Sequence, residues 1–279
     1  MQIIKPTPGF HKSTQALTIF LIGVGSAFAK TLYQTNFLIM KGPDWFLVDC
    51  GPRCTWGLIA AGVPMIDINT YHVTHSHNDH IGGLEEVMMM GRYAYRKKPN
   101  IIITEEYEKI LWEESLKGGS TYSEEKNGKY LEFSDFWNVV RPLKSDGFTR
   151  QTWEANVGGI NLKMPRTKHI PDSTPGWETS AWSTALILDN KVMLTSDTRF
   201  DQDLLEEFDG KFNLEVIFHD CQLFTGGVHS SIDELSALPL KLRKKIILTH
   251  YGDNWQTNIE KMQKAEFHSF ARQQHCYIF

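Results

Sequence analysis

Four side chains that can bind metal ions fall within one short segment of the chain, residues 74–83. They are His75, His77, Asp79 and His80, and the segment begins where an apolar, strand-like stretch ends. His75 and His77 point to the same side of an extended backbone, whereas Asp79 and His80 fall at the predicted start of a helix and face other directions. Imidazole and carboxylate form the ligand set of zinc and its first-row neighbours, so this segment can supply two metal ions.

Two bound ions need more ligands, and three residues elsewhere are candidates: His169, Asp197 and His250. Each comes directly after an apolar stretch that predicts a strand. Taken alone each signal is weak, because a single His at a strand end is more often structural and an Asp there is often a helix N-cap. They gain value because they recur at strand ends, where a two-metal site needs them.

The elements that must position these residues are short strands alternating with helices. Strands are predicted over residues 16–22, 36–40, 45–48, 71–74, 101–104, 159–168, 182–188, 191–195, 214–218 and 245–249. Helices are predicted over residues 54–61, 81–91, 105–116, 232–238 and 257–271. Residues 41–44 predict a turn, which makes a hairpin of the strands on either side. Strands grouped in each half, with helices interspersed, predict an α/β fold of two packed sheets with helices outside.

Two further stretches, residues 118–127 and 171–180, are predicted to be long loops, because they are polar or rich in Gly and Pro. Long ordered loops are often lids over a site, although surface insertions without function are about as common.

Composition limits what the chain can be. Its 279 residues are 41% hydrophobic with no shift that marks a boundary, which predicts a single domain over residues 1–279. Lys plus Arg number 29 and Asp plus Glu 33, so the net charge of −4 disfavours long nucleic acid as a partner. The sequence suggests neither a secretory signal nor a membrane span, which predicts a cytoplasmic protein. The four cysteines, whose spacing does not suit a structural zinc site, are interpreted as free thiols of a reducing compartment.

The ligand pattern resembles that of the metallo-β-lactamase superfamily: His-x-His-x-Asp-His, then a single His, an Asp after a strand, and a final His. The resemblance covers nearly the whole chain and implies an αββα sandwich. Carried over residue by residue, it implies that one metal ion binds His75, His77 and His169, that the other binds Asp79, His80 and His250, and that Asp197 bridges them. The expected ions are two Zn²⁺ per chain, and Mn²⁺ could replace zinc because sites containing carboxylates accept it.

Other segments resemble the ribonuclease Z branch of that superfamily. These are the glycine loop of residues 21–27, the stretch 195–199 around Asp197, residues 217–221 with Asp220 in place of the branch's Glu, and residues 227–230. The last two contain His219 and His229, which β-lactamases and glyoxalases generally lack. A pair of histidines suits cleavage of a phosphodiester, because the leaving alkoxide needs a proton and His can supply one near neutral pH. The alternative for either residue is a structural role.

Within this branch the chain is most similar to the anti-Pycsar cyclic-nucleotide phosphodiesterases of phages and some bacteria. The segments that support this likeness are residues 23–28, 33–38, 111–112, 115–119, 217–221, 227–229, 233–235, 238–239 and 249–252. The likeness implies hydrolysis of cyclic mononucleotides, such as cyclic CMP and UMP, to nucleoside monophosphates by a homodimer. His219 and Asp79 are the expected catalytic residues, and His229 is expected to hold the phosphate or to orient His219. Residues 1–15 and 171–180 depart from the likeness, so the substrate range stays open.

Three alternatives remain at this point. A ribonuclease Z-type endonuclease that matures transfer RNA would use the same metals and histidines but needs a basic arm, for which the chain offers only the small cluster Arg92, Arg96, Lys97 and Lys98. A hydrolase of a thioester or lactone would have no need of His219. A nucleotide-binding protein without activity would have no reason to keep seven metal ligands. Trp177 could stack on a nucleobase, with core packing as the alternative.

Overall fold

The computed structural model of the protein describes residues 1–7, 9–10, 15–121 and 124–279. The chain divides into two compact units, each with one eight-stranded sheet. The first unit comprises Met1–Ile22, Asn36–Pro142 and Gln274–Phe279. The second comprises Gly23–Thr35 and Leu143–Gln273.

The sheet of the first unit mixes antiparallel and parallel strands. In spatial order its strands are β1 (Gln2–Ile4), β18 (His275–Ile278), β2 (Thr18–Gly23), β3 (Asn36–Lys41), β4 (Asp44–Val48), β5 (Thr70–His72), β6 (Asn100–Ile102) and β9 (Asn138–Val140). The predicted hairpin of β3 and β4 is confirmed, and Gly42 in its turn has φ +59°, a conformation that favours glycine. From β4 to β9 the pairing is parallel, so the carboxyl ends of these strands share one edge of the sheet.

The helices of the first unit are short. They are α1 (Cys54–Ala60), α2 (Asn78–Ile81), α3 (Leu84–Met89), α4 (Glu105–Leu111), α5 (Lys117–Ser120) and α6 (Phe133–Phe136), with a two-stranded hairpin of β7 (Glu125–Lys126) and β8 (Lys129–Tyr130). Turns of π-helix extend α3 and α4, over Met90–Tyr95 and Trp112–Leu116. The predicted loop of residues 118–127 is wrong where it overlaps α5 and β7, and its residues 122 and 123 lie outside the described part of the chain.

The sheet of the second unit collects four parallel strands at one side. In spatial order it contains β10 (Leu143–Ser145), β11 (Thr152–Val157), β12 (Ile160–Pro165), β13 (Leu186–Leu188), β14 (Val192–Leu194), β15 (Val216–Asp220), β16 (Ile246–Thr249) and β17 (Ser269–Phe270). Strands β14 to β17 are parallel. Strand β12 runs in the same direction as β14, because each is antiparallel to β13. The carboxyl ends of β12, β14, β15 and β16 therefore lie on one edge.

The helices of the second unit are α7 (Gln202–Phe212), α8 (Ile232–Leu235), α9 (Leu240–Arg243) and α10 (Ile259–Lys264). Helix α7 was not predicted from the sequence, although Asp201 caps it by accepting a hydrogen bond from Leu204 N at 3.1 Å. The prediction of a helix through residue 271 is wrong beyond Lys264: Glu266 adopts φ +56° and the chain continues into β17. No helix in the described ranges has both the length and the apolar character that crossing a bilayer would require.

Candidate metal centre

The ligand loop of the first unit, residues 74–83, lies at the carboxyl edge of its sheet, directly after β5. Helix α2 begins at Asn78, three residues before the predicted start, and places Asp79 and His80 in its first turn. His75 Nε2 lies 3.1 Å from His77 Nδ1, and His80 Nε2 lies 3.4 Å from Asp79 Oδ2. All of these side chains except the half-buried His77 are buried. The structure thus brings together the four side chains that the contiguous motif predicts to be ligands.

The loop is held against the end of β4 by very close backbone contacts. Cys50 N donates a hydrogen bond to His80 O at 2.7 Å, and Gly83 N donates to Cys50 O at 2.8 Å. A Cβ atom at Gly51 would lie 2.1 Å from the carbonyl oxygen of Asp79, and one at Gly83 would lie 2.6 Å from that of Gly51. Glycine is required at both positions because only a residue without a side chain permits this approach.

Asp49 supports the loop and was not identified as a site residue from the sequence. It follows β4 in a left-handed conformation with φ +61°. Its carboxylate accepts hydrogen bonds from Thr74 N and Thr74 Oγ1, both at 2.8 Å, and from His80 Nδ1 at 2.7 Å. A carboxylate bonded to one ring nitrogen fixes the tautomer and orients the other nitrogen as a metal ligand. The only signal in the sequence was an Asp directly after an apolar strand.

In the second unit, the candidate ligands His169 and His250 lie around Asp197. These three residues follow β12, β16 and β14, whose carboxyl ends share one edge of the sheet. His250 Nδ1 lies 3.4 Å from Asp197 Oδ1, and His169 Nε2 lies 4.0 Å from Asp197 Oδ2. The opposite nitrogen of His169, Nδ1, lies 3.0 Å from Val228 O, to which it donates. All three side chains are buried. The strand-end residues singled out from the sequence are therefore neighbours.

His219 and His229 flank the carboxylate of Asp220, at the end of β15. His229 Nδ1 donates to Asp220 Oδ2 at 2.9 Å, and His219 Nδ1 lies 3.2 Å from Asp220 Oδ1 and 2.7 Å from Asp220 O. Burial by itself would raise the pKa of Asp220, but the hydrogen bonds and positive charge of the two histidines hold that pKa below its usual value. Asp220 therefore stays ionised, and it orients His229 through its carboxylate and His219 through its backbone carbonyl.

The two histidines differ in their surroundings. The side chain of His229 is 21% exposed and lies 3.9 Å from Asp197 Oδ2. His219 is fully buried, and no hydrogen-bond partner of its Nε2 lies among the residues that the structure describes. Buried ring nitrogens are normally hydrogen-bonded, so Nε2 is the atom of His219 with capacity for a further partner.

The donor chemistry of both units fits metal ions. Candidate ligand atoms within 4.8 Å of one another include those of His75 with His77 and of Asp79 with His80 in the first unit, and those of Asp197 with His169 and with His250 in the second. Two of the histidines, His80 and His169, give their Nδ1 to a carboxylate or a carbonyl, which is the usual arrangement behind a metal-bound imidazole.

The loop of residues 171–180 is anchored next to His169. Ser180 Oγ accepts a hydrogen bond from His169 N at 2.8 Å, and Arg199 Nη1 donates to Thr174 O at 2.7 Å. Trp177 lies in a single turn of 3₁₀-helix, Trp177–Thr179, and is partly exposed. Stacking of Trp177 on a substrate stays a prediction.

Comparison with solved structures identifies the class of protein. The metallo-β-lactamase fold protein YhfI from Bacillus subtilis matches 94% of this chain and 99% of its own, with a TM-score of 0.69 at 15% identity. This likeness confirms the predicted metallo-β-lactamase fold, the αββα class. With this fold and these His and Asp groups, the chain is a metal-dependent phosphodiesterase, a hydrolase.

Sequence comparison then identifies the family. The profile of the anti-Pycsar protein Apyc1 family matches residues 17–277, so the chain belongs to that family. The anti-Pycsar protein Apyc1 of Bacillus phage BSP38 is 35% identical over 254 residues, which cover 89% of this chain and 94% of the phage protein. The one from Paenibacillus harenae is 33% identical over 237 residues, which cover 84% and 90%. The family predicted from the sequence is confirmed.

Proposed function

We propose that this enzyme hydrolyses cyclic mononucleotides, cyclic CMP and UMP above all and cyclic AMP and GMP as further candidates, to nucleoside monophosphates. Such an activity would remove the signal of a Pycsar-type antiphage response, in keeping with the name of the family. The observation that carries the proposal is the group formed by His219, Asp220 and His229, with His229 3.9 Å from Asp197. It supplies proton donors beside a candidate metal ligand, as cleavage of a phosphodiester requires.

The proposed centre holds two Zn²⁺ ions, with Mn²⁺ as a substitute. On the family assignment His75, His77 and His169 would hold one ion, Asp79, His80 and His250 would hold the other, and Asp197 would be a ligand of both. Bound ions of this kind supply Lewis acidity toward a water molecule and toward the phosphate oxygens. The support from this chain is the donor chemistry of each unit and the second-sphere hydrogen bonds to His80 and His169.

The side chains of the protein then have distinct tasks. His219 gives a proton to the leaving ribose oxygen from Nε2, the ring nitrogen that faces away from Asp220. His229 holds the phosphate, and its partly exposed ring suits that contact. Asp220 orients both rings through their Nδ1 atoms. Because His219 is buried and His229 is not, the alternative is that His229 donates the proton and His219 holds the phosphate. Kinetics of the two single variants distinguishes these assignments.

We also propose that the enzyme acts in the cytoplasm, which for a phage protein is that of the host, and as a homodimer. The buried free thiols of Cys50, Cys54, Cys221 and Cys276 suit a reducing compartment. On α1, Trp56 and Ile59 are 68% and 72% exposed and one helical turn apart, an apolar surface that a second copy could cover. Sedimentation equilibrium tests the dimer: a monomer at micromolar concentration would contradict it.

The test of the proposed function is a substrate panel with the purified, metal-loaded enzyme. The panel contains the four cyclic mononucleotides, a cyclic dinucleotide, a nitrophenyl phosphodiester and a precursor transfer RNA. We expect rapid turnover of at least cyclic CMP or UMP to the monophosphate. Cleavage of the precursor without turnover of any cyclic mononucleotide would favour the ribonuclease Z-type alternative and overturn the proposal.

A further inference from the structure

The first unit contains a cleft of about 260 Å³ whose walls are mostly cationic. We name it the basic cleft and define it by Arg92, Arg96, Lys97, Lys98, Lys126 and Asp135. Five of these six side chains are cations and one is an anion, in a chain whose net charge is −4. Positive charge concentrated in a concave surface of an acidic protein requires an explanation that the hydrolytic centre does not provide.

The basic cleft lies at the opposite edge of the sheet from the ligand loop. Lys97 and Lys98 precede β6, whereas His75 follows β5. Because β5 and β6 are parallel, with Thr70 beside Asn100 and His72 beside Ile102, the start of β6 and the end of β5 face opposite edges. A ligand in the basic cleft would therefore not touch the ligand loop.

One cation of the basic cleft, Lys126, pairs with a carboxylate, whereas Lys97 and Lys98 bond to neutral groups. Lys97 Nζ donates to Ile66 O and Lys98 Nζ donates to Ser134 O, each at 2.7 Å, so both ammonium groups are positioned by neutral carbonyls. Asp135 is the one carboxylate among the described lining residues, and it is already engaged. It accepts hydrogen bonds from Glu132 N at 2.9 Å and from Lys126 Nζ at 3.3 Å.

Arg92 is held in place by two aromatic rings. Its guanidinium carbon lies 5.5 Å from the ring centre of Tyr93 and 5.8 Å from that of Phe136, so aromatic rings hold the group. Its Nε atom is buried, and within the described part of the chain no acceptor bonds to it. Arg92 lines the cleft, and a planar guanidinium pairs especially well with phosphate oxygens.

We propose that the basic cleft binds a small phosphate-bearing anion of the nucleoside diphosphate class, separately from the hydrolytic centre. Its volume falls just below the roughly 300–1,000 Å³ of pockets that enclose a whole drug-sized ligand. The cleft therefore has room for the phosphate groups of such a ligand. A long nucleic acid fits less well, since one local cluster in an acidic protein supplies few of the phosphate contacts on which such binding depends.

The test is hydrogen–deuterium exchange of the metal-loaded enzyme with and without adenosine 5′-diphosphate. We expect the nucleotide to protect peptides covering residues 91–98 and 126–136. The double variant Arg96→Gln/Lys126→Gln should bind at these peptides at least about tenfold more weakly, because hydrogen bonds to charged groups are among the stronger ones. Its matched control, Lys109→Gln/Lys264→Gln, loses the same two charges elsewhere on the surface and should behave as wild type.

Deuterium exchange at residues 74–83 reports separately on any nucleotide bound near the ligand loop. Turnover of cyclic nucleotide should be unchanged in both double variants. Absence of protection at residues 91–98 and 126–136 in the wild type would overturn the inference. Equal protection in the Arg96→Gln/Lys126→Gln variant would also overturn it. Protection by transfer RNA but not by adenosine 5′-diphosphate would assign the cleft to nucleic acid instead.

Discussion

The two units supply candidate metal ligands in different ways. In the first unit four ligands lie within residues 75–80, on one loop that is held by Asp49 and by two close glycine contacts. In the second unit His169, Asp197 and His250 come from three strand ends and meet only because β12, β14 and β16 end on the same edge. The first set depends on one local segment, whereas the second depends on the register of a whole sheet.

The supporting carboxylates of the two units, Asp49 and Asp220, have different kinds of partner. Asp49 supports a predicted ligand, His80, and a neighbouring backbone amide. Asp220 supports two histidines that the family assignment leaves outside the metal ligands. We therefore expect changes in the first unit to affect metal binding, and changes around Asp220 to affect the chemical step.

The largest effect should come from His219→Ala. We expect turnover of cyclic nucleotide to fall by roughly two to four orders of magnitude, the usual contribution of a general acid, with metal content retained. A nitrophenyl diester, whose leaving group needs no proton, should lose far less. Steady-state kinetics on both substrates measures the difference, with His229→Ala compared in parallel and His268→Ala, on the surface, as the control. Loss of metal from the His219 variant would refute the assigned role.

The next effect concerns the integrity of the second unit. Buried Arg150 connects the segment before His169 with the segment after Asp197. Its Nη1 donates to Arg166 O at 3.2 Å and to Asp201 Oδ2 at 3.0 Å. Arg150→Met should lower the free energy of unfolding by about 3–5 kcal/mol, since it removes the cation that pairs with the largely buried carboxylate of Asp201. Lys191→Met, which removes an exposed pair with Glu215, should cost at most about 1 kcal/mol. Urea denaturation compares the two, and equal losses would contradict the account.

A smaller effect is expected from the supporting carboxylate of the first unit. Asp49→Asn should weaken metal binding by about 10–100-fold, because a neutral amide orients and polarises His80 less effectively. Asp220→Asn should retain wild-type metal affinity and lose turnover instead. Competition with a chelator of known affinity measures both variants. If Asp220→Asn loses the metals and Asp49→Asn does not, the proposed division between the units is reversed.

The smallest effect should be that of salt. A cyclic mononucleotide offers one phosphate, so its turnover should change by no more than about twofold between low and physiological ionic strength. Cleavage of a transfer RNA precursor would instead fall steeply through counterion release. A steep salt dependence with cyclic CMP would show that the substrate is held by many more charges than one phosphate requires.

The same contrast explains which parts of the site could be predicted from sequence. His75, His77, Asp79 and His80 are adjacent in the chain, so backbone geometry alone indicated their shared role. His169, Asp197 and His250 were weak signals individually, and a family resemblance was needed to group them. Asp49 was missed as a functional residue because a single Asp after a strand is common.

The fold shows a similar limit. The strongly apolar strands around the site were predicted correctly, because short runs of apolar residues indicate buried strands. The last helix was predicted too long because Phe267, Phe270 and Ala271 continue a helical spacing, yet they are buried around β17, which pairs with β16. Only tertiary pairing distinguishes the two outcomes. Helix α7 was missed although its buried Leu204, Leu205 and Phe208 follow a capping Asp201.

The most direct test of the central proposal, a two-metal centre, is metal content per chain by elemental analysis. Wild type should contain close to two zinc or manganese ions, and Asp197→Ala should contain clearly fewer, because Asp197 is the proposed bridge. Asp189→Ala, in the turn between β13 and β14, removes a carboxylate from the same unit and serves as the control. A wild-type ratio near one, or an unchanged ratio in Asp197→Ala, would contradict a bridged pair.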